Sequence, residues 1–218
     1  MASPLLVIGN KRYSSWSLRA WIALKSLGLE FREHRIALYL PDSEGEILRF
    51  SPSGRVPVLI DGELTVHDSM AIMEYANERY GAGKLLPESV EVRARVRAVC
   101  AEMHAGFPKL REHLPMNLGR KPARLATGVD TAQEIGRVLD MWERLREEHQ
   151  ALGPHLFGAS SMADCMYLPV VTRFRHYGVE LGNHPHAAAY VEHMYALPDF
   201  QQWRRDAAAE QEVIPGMP

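Results

Sequence analysis

Two pairs of polar residues stand where an apolar strand gives way to a helical pattern, Ser14-Ser15 and Asp68-Ser69. The first N–H groups of a helix have no partner inside the helix, and serine and aspartate side chains commonly accept hydrogen bonds from them. A serine hydroxyl also donates a hydrogen bond, so a helix start of this kind could hold an anion. From the local sequence alone, ordinary helix capping is the simpler explanation of both pairs.

The first 80 residues, which would position both pairs, alternate between strand and helix patterns. Asp61-Gly62 lies between two apolar runs and predicts a hairpin. The order β-α-β-α-β-β-α implies a small mixed sheet with helices packed on it. The patterns predict strands at 4–9 and 30–37, the hairpin at 57–66, and helices at 16–28, 42–50 and 69–80.

Beyond these residues the strand pattern disappears and apolar residues recur at helical spacing. One stripe over 92–114 predicts a single amphipathic helix, kinked at Pro108. Ser161 and Asp164 have the spacing of a capping box, which predicts a helix over 161–178. We therefore expect an α/β domain over 1–80, a linker over 81–87 and an all-helical domain over 88–218.

The composition indicates a protein with an ample core and little net charge. Hydrophobic residues make up 46% of the 218 residues, charged residues make up 24%, and the formal net charge is −2. Such a balance gives no field that would draw the chain to nucleic acid or to an anionic membrane. The sequence has no run of 18 apolar residues and no signal-peptide pattern, so we expect a cytoplasmic location.

The cysteines and histidines do not suggest a metal site or a disulfide framework. Cys100 and Cys165 both fall in apolar helical patterns, which predicts two buried free thiols and fits a reducing compartment. His184 and His186 have no nearby cysteine or carboxylate that would complete a metal site. We therefore expect no bound metal.

Four motifs follow one another along the chain: Ser14-Ser15 at a helix start, Val56-Pro57, Asp68-Ser69, and Ser161 with Asp164. In this order and spacing they resemble the cytosolic glutathione S-transferase family over essentially the whole chain. The run from Ser14 to Arg19 is most similar to the serine-type zeta class, which includes the maleylacetoacetate isomerases. That class carries a cysteine where this chain has Trp16, which disfavours a glutaredoxin-like thiol mechanism.

The resemblance implies an N-terminal thioredoxin-like domain, an all-helical C-terminal domain, and glutathione as co-substrate. The chemistry would be ionisation of the glutathione thiol, and lowering a pKa of about 8.5 by about two units takes roughly 2.7 kcal/mol. A hydroxyl donor supplies about 1.5–3 kcal/mol, and a helix N-terminus adds about 0.3–1 kcal/mol. One serine at a helix start is therefore sufficient. The resemblance points to Ser14 as this catalytic serine, with Ser15 as the alternative.

The resemblance also assigns residues that would hold the rest of glutathione. The backbone of Val56 would pair with the glutathione cysteine as an added strand does, with Pro57 in the cis form. Asp68 would accept from the γ-glutamyl ammonium, directly or from the partner subunit, and Ser69 would donate to the γ-glutamyl carboxylate. Arg55 could reach the ligand, and a solvated arginine is an equal interpretation.

A second substrate would lie between the domains, against the first and third helices of the helical part. The zeta-class isomerases imply an arginine for acidic substrates near the end of that third helix. Ungapped alignment from Ser161 places His176 there, with Arg175 one residue earlier. Core packing is the simpler explanation for the apolar candidates. The candidates are Met103, His104, Phe107, Met116, Arg173, Arg175, His176 and Tyr177.

Three functions follow from the sequence as hypotheses. The first is a glutathione transferase whose thiolate attacks a small electrophilic substrate. The second is a glutathione-dependent cis–trans isomerase of a maleylacetoacetate-like diacid, which Arg175 and His176 favour weakly. The third is a non-catalytic binding or regulatory module, which the presence of Ser14 and the Asp68-Ser69 pair disfavours. The family implies a homodimer.

Overall fold

The computed structural model describes residues 3–214, and its N-terminal part is built on a mixed sheet. Within the described range the sheet comprises β1 (Leu5–Ile8), β2 (Arg32–Arg35), β3 (Val58–Asp61) and β4 (Leu64–His67). The spatial order is β2-β1-β3-β4, with β1 and β2 parallel and both other pairings antiparallel. The hairpin between β3 and β4 confirms the turn predicted from the sequence, and Gly62 adopts the positive φ of 62° that suits glycine there.

Three helices pack on this sheet and bring the polar pairs to its surface. They are α1 (Ser15–Ser26), α2 (Ser43–Leu48) and α3 (Ser69–Arg79). Ser14 and Asp68 are the residues that precede α1 and α3, so both helices begin where the sequence predicted. The Val56–Pro57 peptide, just before β3, is cis, as the resemblance implied. This arrangement confirms the thioredoxin-like fold.

The rest of the described chain is helical and is organised around one central helix. It comprises α4 (Val90–Ala105), α5 (Pro108–His113), α6 (Val129–His149), a short 3₁₀ helix (Gln150–Leu152), α7 (Met162–His176), α8 (Pro185–Ala196) and α9 (Pro198–Ala209). Every residue of α7 except Arg175 is buried. It packs against α1, α4 and α8, so it joins the helical domain to the helix that begins beside Ser14.

The prediction of a single kinked helix over 92–114 is wrong, because the chain forms two separate helices there. Pro108 has no N–H and disfavours helical backbone in the residue before it. Phe107 accordingly adopts φ 56° and ψ 45°, and Pro108 becomes the first residue of α5. The apolar stripe still faces the core across the break, since Phe107 and Leu110 are both buried.

The start of α7 shows what a purely structural helix cap looks like in this chain. The carboxylate of Asp164, which is 1% exposed, accepts from the Ser161 N–H at 2.8 Å and from the Leu156 N–H at 3.0 Å. This confirms the predicted capping box. Cys100 and Cys165 are free and buried, also as predicted. Among residues 3–214, the helices are all too short or too polar to cross a membrane.

Candidate active site

Ser14 caps α1 with a buried hydroxyl. Its backbone is extended (φ −80°, ψ 91°), and its oxygen accepts from the Ser17 N–H at 3.3 Å. The same hydroxyl donates to the Ser17 Oγ at 2.7 Å, and that oxygen also accepts from the Gly9 N–H at 3.0 Å. Only 7% of Ser14 is exposed. The hydroxyl is therefore held at the helix N-terminus, with its proton donated to Ser17.

Ser15, the first residue of α1, contacts a buried cation from the helical domain. Its Oγ lies 3.4 Å from a guanidinium nitrogen of Arg173, on α7. The same guanidinium donates to the carbonyls of Leu114 at 2.8 Å and Pro169 at 3.0 Å. Burial lowers the pKa of Arg173 to about 10, so the side chain remains charged at neutral pH.

Trp16, the second residue of α1, is surrounded by further cationic and polar groups. The guanidinium of Arg19 lies 4.2 Å from the Trp16 ring centroid and that of Arg111 lies 5.7 Å from it. The ring of His104 meets the indole edge-on at 5.3 Å. With Arg173 beside Ser15, three arginines therefore lie at the start of α1, and two of them, Arg19 and Arg173, are buried.

The positive charge at this helix start is not neutralised by a neighbouring acid. Arg19 donates its Nε–H to the Met166 carbonyl at 2.9 Å, and its two terminal nitrogens are buried without a partner in the described chain. Burial lowers the pKa of Arg19 to about 9. Within residues 3–214, the ion pairs do not include Arg19, Arg111 or Arg173. A buried guanidinium with free N–H groups is a strong binding group for a carboxylate.

The start of α3 differs from the start of α1 in backbone and in charge. Asp68 adopts φ 76° and ψ 132°, a strained conformation for a residue with a side chain, which costs on the order of 1–3 kcal/mol. One carboxylate oxygen accepts from the N–H groups of Met70 at 2.8 Å and Ala71 at 3.3 Å. The other lies 3.3 Å from the Nε2 of His104. The contact between Asp68 and His104 thus joins the two domains beside Trp16.

Ser69 and Val56 carry polar groups that the described protein leaves open. The Ser69 hydroxyl is buried, with 1% of the residue exposed, and has no hydrogen-bond partner among residues 3–214. The N–H and C=O of Val56 make no backbone hydrogen bond within the same range. Arg55 is exposed, and its N–H donates to the Ser51 Oγ at 3.4 Å. Buried polar groups are normally satisfied, so the unpartnered Ser69 hydroxyl is a candidate for contact with a ligand.

The remaining second-substrate candidates divide into core and surface residues. Phe107 is buried, and so are Met103, Met116 and Tyr177. Arg175 pairs with Glu192 and lies over the ring of Tyr195. His176 is hydrogen-bonded to the Tyr195 hydroxyl at 3.0 Å, and burial lowers its pKa. The described contacts of Arg175 and His176 do not include Ser14, Ser15 or Trp16.

Sequence reasoning missed Arg19 and Arg111 as residues of this region. Arg19 is three residues after Trp16 and four after Ser15, so it lies on the same face of α1. A charged residue in an otherwise apolar helix stripe was the signal that could have identified it. Arg111 gave no such signal, because its approach to Trp16 depends on the break between α4 and α5.

The comparisons with known proteins agree with this geometry. A family model described as glutathione S-transferase, N-terminal domain, matches residues 13–79. The chain is 30% identical to a protein named probable maleylacetoacetate isomerase from Vibrio cholerae, over 91% of this chain and 94% of that protein. The chain belongs to the glutathione S-transferase family. The branch is zeta-like, since the chain is also 26% identical to a glutathione S-transferase zeta class protein from Euphorbia esula, over 91% of this chain and 89% of that one.

A solved structure supports the same conclusion for the fold. The glutathione transferase homolog from Burkholderia gl BGR1, crystallised with bound glutathione, has a TM-score of 0.71 and 25% identity. The similarity covers 96% of this chain and 100% of that one. The predicted family, fold class and enzyme class are therefore confirmed. The roles of individual residues in this glutathione S-transferase stay predictions.

Proposed function

We propose that this protein binds glutathione beside Val56, at the starts of α1 and α3, and ionises its thiol for attack on an electrophilic substrate. Glutathione would be a co-substrate. The observation that carries the proposal is the buried Ser14 hydroxyl at the N-cap of α1, where the positive helix end and a hydroxyl donor act on one anion. The glutathione bound in the Burkholderia homolog supports the choice of ligand.

Ser14 would donate its hydrogen bond to the glutathione sulfur, in place of its bond to Ser17. A drop of about two units in the thiol pKa needs roughly 2.7 kcal/mol, within reach of a hydroxyl and a helix end together. Ser15 is the alternative donor. Its oxygen accepts from Arg173, which leaves the Ser15 proton free to donate, so both serines are tested below.

The other assigned residues would hold the peptide and the γ-glutamyl group. The open backbone of Val56, ahead of cis Pro57, would pair with the glutathione cysteine. The unpartnered Ser69 hydroxyl would donate to the γ-glutamyl carboxylate, and Asp68 would accept from the ammonium. Arg55 is exposed and would contribute to the glycine end through its charge.

A pH titration of the bound thiol tests this assignment directly. Thiolate absorbance would be followed in the wild type, in Ser14→Ala and in Ser15→Ala. We expect a lowered pKa in the wild type and in Ser15→Ala, and a rise of about 1–2 units in Ser14→Ala. A pKa that Ser14→Ala leaves unchanged would remove Ser14 from the mechanism. Glutathione bound by the wild type with an ordinary thiol pKa would favour a non-catalytic binding module.

The arginines around Trp16 favour a second candidate function, glutathione-dependent isomerisation of a diacid. The thiolate would add to the cis double bond, the resulting single bond would rotate, and the thiolate would leave as the trans double bond forms. Arg111, which is partly exposed beside Trp16, would bind a substrate carboxylate, and the buried Arg19 and Arg173 would add positive charge behind it. The name of the Vibrio cholerae relative supports this candidate.

Turnover of maleylacetoacetate discriminates between the two activities. An isomerase would convert it with a catalytic amount of glutathione, which would be recovered unchanged. Arg111→Leu should lower kcat/KM for the diacid about tenfold and leave conjugation of a neutral electrophile within about twofold, the effect of one charged hydrogen bond. Consumption of glutathione in proportion to product would instead establish conjugation.

We also propose that the protein is a cytoplasmic homodimer, as its family implies. In a dimer, the ammonium contact could come from Asp68 of either protomer. Light scattering with size-exclusion chromatography would give the mass in solution, and a monomer would assign the contact to the protomer that binds the ligand.

A further inference from the structure

The loop that precedes Ser14 is fixed by residues from the far end of the chain. It runs over 9–13, between β1 and α1. The Asn10 carbonyl accepts from the N–H groups of Tyr13 at 3.2 Å and Ser14 at 2.8 Å. The position of Ser14 therefore depends on the path of this turn.

Glu210, just after α9, binds the backbone of the turn with both carboxylate oxygens. One oxygen accepts from the Lys11 N–H at 2.6 Å and the other accepts from the Arg12 N–H at 3.0 Å. The backbone carbonyl of Glu210 accepts from the Arg12 guanidinium at 3.0 Å. The Glu210 side chain is only 5% exposed, so little water competes for these hydrogen bonds.

Helix α9 also contacts the carbonyl and the side chain of Lys11. The Trp203 indole N–H donates to the Lys11 carbonyl at 2.9 Å. The Lys11 ammonium lies 2.7 Å from carboxylate oxygens of both Asp206 and Glu33. It also lies 5.2 Å from the Trp203 ring centroid. The N–H of Lys11 thus contacts Glu210, and its carbonyl and ammonium contact residues of α9.

We propose that Glu210 is a positioning residue for Ser14: its carboxylate orders the turn over 9–13, and the ordered turn sets the direction of the Ser14 hydroxyl. This inference rests on the proposed role of Ser14 toward the glutathione sulfur. Without the carboxylate, two neighbouring N–H groups lose their acceptor. The turn then samples other conformations, and the Ser14 hydrogen bond to the sulfur weakens.

The test compares Glu210→Gln with Glu212→Gln. The amide keeps the shape of Glu210 but lacks the charge and has one acceptor instead of two. Glu212 is the matched control, because it makes no contact with the turn in the described structure and pairs with Arg35 at 2.8 Å. The Arg35 Nε also lies 4.0 Å from a Glu210 carboxylate oxygen, so Glu212→Gln shows the effect of disturbing Arg35 alone. Measurements are the thiol pKa of bound glutathione, the Kd for S-methylglutathione, and amide hydrogen exchange at Lys11 and Arg12.

We expect Glu210→Gln to raise the thiol pKa by about one unit, with Kd for S-methylglutathione changed less than about threefold. Exchange at Lys11 and Arg12 should be at least about tenfold faster, while Glu212→Gln matches the wild type. Trp203→Phe, which removes one donor to the turn and keeps an aromatic ring, should shift the thiol pKa in the same direction by a smaller amount.

Two outcomes would overturn the inference. The first is an unchanged thiol pKa in Glu210→Gln beside a lowered pKa in the wild type, whatever the exchange rates. The second is an equal shift in Glu210→Gln and Glu212→Gln. A wild type that binds glutathione without lowering its thiol pKa would contradict the proposed function instead, and that result is read before any variant is made.

Discussion

The starts of α1 and α3 use the same local device in opposite electrostatic settings. Each begins next to a buried serine. At α1 the neighbours are Arg19, Arg111 and Arg173, and the hydroxyl of Ser14 is already hydrogen-bonded. At α3 the capping residue is an acid with strained backbone, and the Ser69 hydroxyl is unpartnered.

This difference indicates which ligand charge each site suits. A helix end among unpaired arginines suits anions alone, such as a thiolate and the carboxylates of a second substrate. A helix end that combines an aspartate with free donors suits a zwitterion, because one group accepts from the ammonium while others donate to the carboxylate. A residue suited to an N-cap, Ser14 or Asp68, therefore predicts a helix start but not the ligand that it binds.

The largest expected effect concerns a third helix start, that of α7, which serves as a purely structural reference for the other two. Asp164→Ala at the start of α7 should reduce the free energy of unfolding by about 3 kcal/mol, since the buried N–H groups of Leu156 and Ser161 lose their acceptor. Ser14→Ala and Ser69→Ala should each cost about 1 kcal/mol or less. Urea unfolding of the three variants gives these values. Equal losses would mean that all three positions are structural caps.

An intermediate effect separates the α1 site from the α3 site. Ser69→Ala should weaken glutathione binding about tenfold, the value of one hydrogen bond to a carboxylate, without moving the thiol pKa. Ser14→Ala should do the reverse. Calorimetry for Kd, combined with the thiolate titration, distinguishes them. A shift of the thiol pKa in Ser69→Ala would show that the two helix starts are not independent.

The smallest effect concerns pH and lies outside both helix starts. Burial lowers the pKa of His176 and of His193, so the folded state binds fewer protons than the unfolded state below about pH 6.5. Stability from these groups is present above that pH and is lost as the pH falls. Unfolding midpoints should decline between about pH 7.5 and about pH 5.5, and His176→Gln should reduce the slope. An unchanged slope would assign the decline to other groups.

Much of the scaffold could be predicted because its signals are local. The hairpin follows from Asp61-Gly62, and the helix starts follow from Ser14, Asp68 and Ser161, since each depends on residues within a few positions. The break before α5 could also be predicted from a local signal. Because a proline disfavours helical backbone in the residue before it, Pro108 after Phe107 favours a complete break over a kink.

The arrangement of the candidate site needed the folded chain. Arg173 meets Ser15 across 158 positions, and neither residue carries a mark of the other in its local pattern. The positive φ of Asp68 likewise could not be predicted, because glycine is the usual signal of that backbone conformation and this position holds an aspartate. The boundaries 1–80 and 88–218 stay predictions, and so do the roles of the site residues.

The hydrogen bond between Lys11 and Glu210 spans 199 positions, and this separation has a consequence for protein synthesis. A nascent chain can pair β1 with β2 once Arg35 has left the ribosomal exit tunnel, but it cannot complete the turn before Ser14 until Glu210 has left the tunnel as well. The turn is thus among the first segments to be synthesised and among the last to receive its stabilising hydrogen bonds. A premature stop codon before Glu210 would release a chain in which the turn before Ser14 lacks this acceptor.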